Sequence, residues 1–492
     1  MSVHEGFDCT DEMTLIFEQY SALKGLTAAE CSGLFWDAVV FSVGDAAQRE
    51  AIETRIQQLK ADKAIPLVDY IALEDDASYK MGSGGATMNI LTMLKSLWNE
   101  DLFSKKILLI HTGGQCRRLP QHSAVGKLFA RLPCGRMLDI KLAMYLPFCR
   151  KMSSGVFLTA SDDIETFAVD GPHAIEKSGF TVLAHPSNLS IAKDHGVYIL
   201  PESIYAACTI ASCLRVLQKP SLDEMRAANA IVDGDSAFTD SAYVFGADVM
   251  RCLIEYYESN RPLNREICAY GDFLTCLGSG APKSTDSLQR ELQKFPIRAI
   301  VLARSNFYHI GTLTEYLDNL CSNVLFKKQI SIDQSPNINI LSRLSAQGVV
   351  FRGRCVIECC DFGDCSELSV GDDVILWGCQ LQSGKVVVPD RVVLFTVPIK
   401  VPPNHNVGYV TLCFGIHDDM KTGTKLFGRH AVENLWTAKL FELANSRSES
   451  FLKTLHNIAT PQVRESFFSM EDVLEYKFIQ GIIEWERTLD SS

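Results

Sequence analysis

The densest chemistry in the chain lies in the stretch HTGGQCRRLPQHSAVGK, which runs from His111 to Lys127. Gly113 and Gly114 follow the apolar run KILLIH, and Gln115, Arg117, Arg118 and Lys127 complete the stretch within fifteen residues of Gly113. Glycines let backbone amides approach an anion, while guanidinium and ammonium groups keep their charge at neutral pH. That combination suits phosphate; an exposed basic turn is the plainer alternative. A second glycine-rich stretch, Gly82-Ser83-Gly84-Gly85-Ala86-Thr87, opens a helical pattern. A helix N-terminus there would add its positive end to the amides. The stretch lacks the Gly-Lys-Ser/Thr of a P-loop and the last glycine of the dinucleotide fingerprint, so on these residues alone a tight structural turn explains it better. Lys219 stands between an apolar run and Pro220, either as a snorkelling surface lysine or as the second phosphate ligand that a two-substrate phosphoryl reaction needs. Asp162 and Asp163 follow VFLTA. Strand-end carboxylates suit Mg²⁺, and a helix N-cap is the simple alternative.

These residues need elements to position them. Residues 36–42, 68–73, 106–111 and 156–160 read as buried strands, with a helical pattern over 45–60. Strands separated by helix-length segments predict a parallel sheet with crossover helices, whose ligands sit at the carboxyl ends of the strands. Past residue 330 the pattern changes. Gly353, Val356 and Ile357 recur 18 residues later as Gly371, Val374 and Ile375, then as Pro389, Val392 and Val393. Such a repeat suggests β-solenoid coils of three six-residue rungs, with a two-sheet antiparallel domain as the alternative. Residues 431–443 and 470–489 read as helix.

The length of 492 residues corresponds to roughly three domains. A 47% hydrophobic and 22% charged composition excludes extensive disorder and collagen-like or coiled-coil chains. With 59 acidic against 47 basic residues, the net charge of −12 disfavours nucleic acid as a partner. The first residues lack a secretory pattern, and the apolar runs are too short to span a bilayer, so no membrane role is expected. Seventeen scattered cysteines fit free thiols in a reducing, cytoplasmic setting. Cys355, Cys359, Cys360 and Cys365 match no common zinc spacing and read as buried thiols ahead of a metal site.

In order, these pieces resemble the sugar-nucleotide pyrophosphorylases, which carry G-G-x-G-T-R-L-x-P, then a lysine, a strand-end Asp and an E-K-P-like triplet. The chain matches at Gly113, Gly114, Arg118, Leu119, Lys127 and Gln218-Lys219-Pro220, and departs at Cys116 and Arg117. The departures are similar to one branch, the fucose-1-phosphate guanylyltransferase (GDP-L-fucose pyrophosphorylase) family. That branch has H-A-G-G-Q-S-R-R-L-P-x-x-S-A-x-G-K here, a G-S-G-G-A-T loop upstream and a K-H-G-V-like segment, matched by Asp194-His195-Gly196-Val197. In related enzymes a D-x-G-T stretch supplies a second acidic group; here it reads His309-Ile310-Gly311-Thr312.

The resemblance implies an α/β fold. After an N-terminal helical segment (1–35) comes a Rossmann-like nucleotidyltransferase domain with a mostly parallel sheet (36–330). A left-handed parallel β-helix-like solenoid (331–426) and a C-terminal helical cap (427–492) follow. It implies that L-fucose 1-phosphate attacks the α-phosphorus of GTP, giving GDP-L-fucose and pyrophosphate with Mg²⁺. Arg118, Lys127 and Lys219 would be catalytic. Gly82, Ser83, Gly84, Gly85, Gly113, Gly114, Gln115, Arg117, His195 and Gly196 would line the nucleotide. Asp240 and Asp272 would touch the sugar, and Asp162 or Asp163 the metal. The fused kinase of some relatives is not expected after residue 330, so a separate fucokinase would supply the substrate; oligomerisation would use the solenoid. The alternatives are another sugar 1-phosphate or base, or a silent nucleotide-sugar-binding paralogue.

Overall fold

A computed structural model describes residues 6–76, 78–168, 174–201, 209–364, 367–403 and 405–490. The chain divides into two compact units, Met1–Gly113 with Asp139–Tyr308, and Gly114–Leu138 with His309–Ser492.

In the first unit the strand Ala38–Val43 lies between Asp69–Glu74 and Lys106–His111, and Gly155–Ala160 follows on the far side of Lys106–His111, all parallel. All six residues of Ala38–Val43 are buried, as a strand covered on both faces requires. The helix Ala46–Ala61 begins at Asp45, whose side chain accepts the Gln48 amide. It buries Ile52, Ile56 and Leu59, the spacing of one helical face. The helix Ala247–Asn260 does the same with Val249, Leu253 and Tyr257, which share a core with Leu91 and Leu94 of the helix Gly82–Trp98.

The sheet is mixed where the sequence reading expects a mostly parallel one. Beyond Gly155–Ala160 come Tyr243–Phe245, Phe180–Asn188, Ser236–Thr239, Gly196–Ile199 and Arg215–Gln218, each antiparallel to its neighbour. Parallel neighbours need crossovers of a dozen or more residues. Among the described residues, the helices linking these antiparallel strands are Leu189–Ala192 and Leu222–Ala227, too short for that task; Ile297–Val301, which comes after the longer helix Ala247–Asn260, does pair in parallel with Phe180–Asn188.

In the second unit, strands pair in parallel with partners 18 or 19 residues on: Asn337 with Cys355, Cys355 with Val374, Ile375 with Val393. Two further parallel sets run Arg343–Leu344 with Asp361–Phe362, and Val349–Phe351 with Glu367–Val370 and Lys385–Val388. The glycines of the repeat have a steric reason: a Cβ on Gly353 would strike Asp372, and one on Gly371 would strike Asp390. Those aspartates accept the amides of Arg354 and Asp372 in turn. One extra residue separates Cys355 from its partner, so Val356 faces Ile375 rather than Val374.

The helix expected over 431–443 is absent. The backbone there is taken by distant partners: Leu435 donates to Gly423, and Phe441 exchanges bonds with Phe468. Helices come later, at Arg447–Asn457, Met470–Tyr476 and Ile479–Asp490. The described cysteines are free thiols, with Cys355, Cys359 and Cys360 buried; Cys365 lies outside the described residues. No helix among the described residues is long and apolar enough to cross a membrane.

Candidate functional site

The strand order of the first unit reverses between Ala38–Val43 and Lys106–His111, and ligands of open α/β sheets sit at such points, beyond the carboxyl ends. Ser42, Asp75, Thr112 and Gly113 meet there. The Thr112 amide and hydroxyl both donate to the Ser42 carbonyl. Gln48 bridges the two strand ends, accepting the Gly44 amide and donating to the Thr112 carbonyl, each at 2.8 Å. Asp75 follows Asp69–Glu74 and accepts the Ser42 hydroxyl at 3.1 Å. Its Oδ2 lies 3.7 Å from where a Cβ on Gly113 would fall. Burial pushes its carboxyl up to about 6. Sequence reasoning missed Asp75, one of three acids in the run Glu74-Asp75-Asp76, because only the sheet register shows which of them turns toward the neighbouring strand.

A second group in this unit gathers His195, Gly196, Lys219 and Asp240. Asp240 Oδ1 accepts the Gly196 amide at 2.9 Å and stands 3.7 Å from His195 Nδ1. The Asp240 amide returns to the Gly196 carbonyl, and the Lys219 amide donates to the His195 carbonyl at 3.0 Å. Gly196 presses so closely on Asp240 that no side chain fits. The His195 ring meets Phe307 edge-on at 5.1 Å. Lys219 has φ +47°, and its exposed ammonium has no hydrogen bond or ion pair among the described residues.

Next to Asp240 in sequence, Ser241 enters a buried polar network that the sequence reading also missed. His185 Nε2 lies 2.9 Å from both Ser241 Oγ and Glu165 Oε2. The Tyr145 hydroxyl donates to Glu165 Oε1 at 2.7 Å. Burial works against the Glu165 charge, yet His185 and its hydrogen bonds hold that carboxyl below its ordinary range. Lys141, wholly buried, pairs with Asp163 at 2.9 Å. Burial pushes Asp163 up to about 6 against the pull of Lys141. A lysine inside the apolar helix MLDIKLAM was the available signal, since such a charge persists only when paired.

Several expected roles change. Asp163 pairs with Lys141, and the half-buried Asp162 follows the strand Gly155–Ala160. One carboxylate, completed by phosphate oxygens and water, fits Mg²⁺. The amides of Gly84 and Gly85 do not face an open anion site: both donate to the Ile267 carbonyl, at 2.7 and 3.4 Å. A Cβ on Gly82 would collide with that same backbone, and Ser83 Oγ accepts the Ala269 amide. The turn reading explains these glycines. Asp272 is a structural clamp, with one oxygen on Arg265 at 2.8 Å and the other on the Cys268 amide at 2.6 Å.

In the second unit, Gly114, at φ +100°, opens the segment Gly114–Leu138. Arg117 is not free for a nucleotide. It donates twice to Gln115, at 3.0 and 2.7 Å, and its guanidinium lies 5.0 Å over the Trp436 ring. Gln115 is thereby also engaged. Arg118 is exposed and has no hydrogen bond or ion pair among the described residues. Lys127, half-buried, begins the short helix Lys127–Phe129. His309, Gly311 and Thr312 all bind Glu315, which makes that stretch the cap of the helix Leu313–Leu317.

The fucose pyrophosphorylase domain model matches residues 99–456 of the chain, which is more than half of it. The chain belongs to the fucose pyrophosphorylase family. It is 31% identical to a fucose-1-phosphate guanylyltransferase of Mus musculus, over 94% of both chains, and 30% identical to that of Homo sapiens, over 96% of this chain and 93% of the relative. A bifunctional fucokinase/GDP-fucose pyrophosphorylase of Arabidopsis thaliana is 22% identical over 78% of this chain and 42% of its own. Membership of the fucose pyrophosphorylase family makes the chain a nucleotidyltransferase.

Proposed function

We propose that the enzyme makes GDP-L-fucose and pyrophosphate from GTP and L-fucose 1-phosphate. The observation that carries this reading is Lys219: a left-handed backbone in a non-glycine residue costs about 1–3 kcal/mol, and here it accompanies an exposed ammonium with no ion pair among the described residues, in the same group as His195, Gly196 and Asp240. The sugar phosphate is already an anion at neutral pH and needs no general base. The reaction needs charge neutralisation and in-line placement. Lys219 holds the sugar phosphate, and Asp240 and His195 border the sugar. Arg118 and Lys127 take the triphosphate, with the Gly113 and Gly114 amides. Asp75 carries the wrong charge for phosphate but matches the N1–H and 2-amino donors of guanine. Asp162 would hold Mg²⁺, which when bound neutralises phosphate charge. Lys219→Ala should lower pyrophosphate release about 10²- to 10³-fold; near-normal turnover would remove Lys219 from this role.

The substrate in this reading comes from a sugar kinase acting before it. The 18- or 19-residue partner spacing supports closure of residues 331–426 into a β-solenoid, left-handed as the family resemblance implies, with oligomerisation through its faces. A crystal structure with right-handed coils would overturn the handedness, and a monomer by light scattering the oligomer. Free thiols support a cytoplasmic location, which cell fractionation tests.

A further inference from the structure

The segment that carries Arg118 and Lys127 is fastened within the second unit by a buried polar cluster that the chemistry above does not use. Glu358 ends the strand Cys355–Glu358 and is 1% exposed. Its Oε1 accepts the Arg131 amide at 3.1 Å, and its Oε2 accepts the Tyr316 hydroxyl at 3.1 Å. His122 Nε2 lies 3.5 Å from the same Oε2. The Arg131 guanidinium donates to Glu486, on the helix Ile479–Asp490, at 3.1 and 3.0 Å. Glu358 therefore meets the segment at His122 and at Arg131, on either side of Lys127. A buried carboxyl costs more to desolvate than an apolar side chain of the same size. Its neighbours Val356 and Ile357 are buried and apolar, so what Glu358 adds at this strand end is the set of bonds it makes.

We propose that Glu358 is a positioning residue, which pins the segment at Arg131 and packs against it at His122, and so holds the Arg118–Lys127 stretch ready for the triphosphate. The effect on catalysis rests on the reading of Arg118 and Lys127 as triphosphate ligands; the pin itself does not. Every charged or titratable group facing the pin bears on its state. Burial pushes Glu358 up to about 8, and the nearby Glu486 adds to that push while Tyr316 and Arg131 oppose it. Burial and Lys127 push His122 down to about 3, so its ring is neutral and packs beside the carboxyl without hydrogen-bonding to it. Arg131 and Glu486 balance each other. Near neutrality the cluster holds one proton on Glu358. Because its folded value lies above the unfolded one, the stabilisation is complete below about 4.5 and is lost as pH rises through about 8. Above that, Glu358 carries a second buried negative charge beside Glu486, which already engages the Arg131 guanidinium, and the segment loosens.

The test is hydrogen exchange of the ligand-free full chain, read as protection factors for peptides covering residues 114–130, with GTP kinetics beside it. Glu358→Ala leaves the Arg131 amide and Tyr316 hydroxyl without an acceptor and should cut protection in that stretch about tenfold or more. The strands of the first unit should keep theirs. KM for GTP should rise with KM for the sugar phosphate unchanged. Glu358→Gln, uncharged at every pH, should keep wild-type protection at pH 7 and abolish the loss that wild type shows between pH 7 and 9. Should the alanine variant fail to fold, Tyr316→Phe removes one bond to the same carboxyl and is read in the same way. Unchanged protection over 114–130, a loss spread evenly through both units, or a glutamine variant that still loosens at high pH would each overturn the proposal. Glu358-dependent protection in a protein that does not turn over GTP would refute the triphosphate reading and keep the pin.

Discussion

Asp75→Asn tests the assignment of the guanine reader with almost no change of shape. The asparagine oxygen can still accept the Ser42 hydroxyl, and the backbone bond from residue 75 to the Val43 carbonyl is untouched, so folding should survive. Burial raises the Asp75 carboxyl only to about 6, which leaves it ionised at pH 7.5. A hydrogen bond to an ionised group contributes about 1.5–3 kcal/mol. The 2-amino group of guanine should therefore favour GTP over ITP by about 10- to 150-fold in kcat/KM in the wild type. Asparagine presents an amide nitrogen where the 2-amino group needs an acceptor, so the variant should lose that factor and treat the two nucleotides nearly alike. The assay is pyrophosphate release with saturating sugar phosphate over a series of GTP and ITP concentrations. The titration adds a second signature: KM for GTP should rise in the wild type as pH falls through about 6 and stay level in the variant. An undiminished GTP preference in Asp75→Asn would refute the reasoning.

Lys219→Ala should cost about 10²- to 10³-fold in kcat with the melting temperature unchanged, because the side chain is exposed; calorimetry beside the rate assay separates the two. Arg118→Ala should lose rate with normal stability, whereas Arg117→Ala, which removes the Gln115 bonds and the Trp436 stack, should raise the proteolytic sensitivity of the segment around it. Lys141→Met strands the buried Asp163 charge and should destabilise the protein by about 3–5 kcal/mol in urea unfolding, largely restored by adding Asp163→Asn.

Features carried by local chemistry were legible in the sequence, and those that depend on register were not. The strand Lys106–His111 with its glycines and basic residues stands out because its apolar run and its loop are contiguous. The repeat past residue 350 is visible because the clash that selects Gly353 recurs 18 residues on at Gly371. The first glycine loop could not be told from an anion cradle by its residues alone, because its partner, Ile267, is remote in sequence and close backbone approach selects glycine as strongly as a phosphate does. The grouping of His195 with Asp240 depends on strand pairing, and the burial of Lys141 against Asp163 on helix packing, neither of which periodicity reveals. Residues 431–443 show how tertiary partners override helical patterning, since Phe468 captures the backbone at Phe441.

The most direct test of the central claim is pyrophosphate release by the purified chain with Mg²⁺. GTP, ATP and UTP are each offered with L-fucose 1-phosphate, mannose 1-phosphate and glucose 1-phosphate. The account predicts release with GTP and L-fucose 1-phosphate above every other pair, and its loss in Lys219→Ala. Silence across all pairs from a folded protein that still binds GTP, or equal rates in Lys219→Ala, would contradict it.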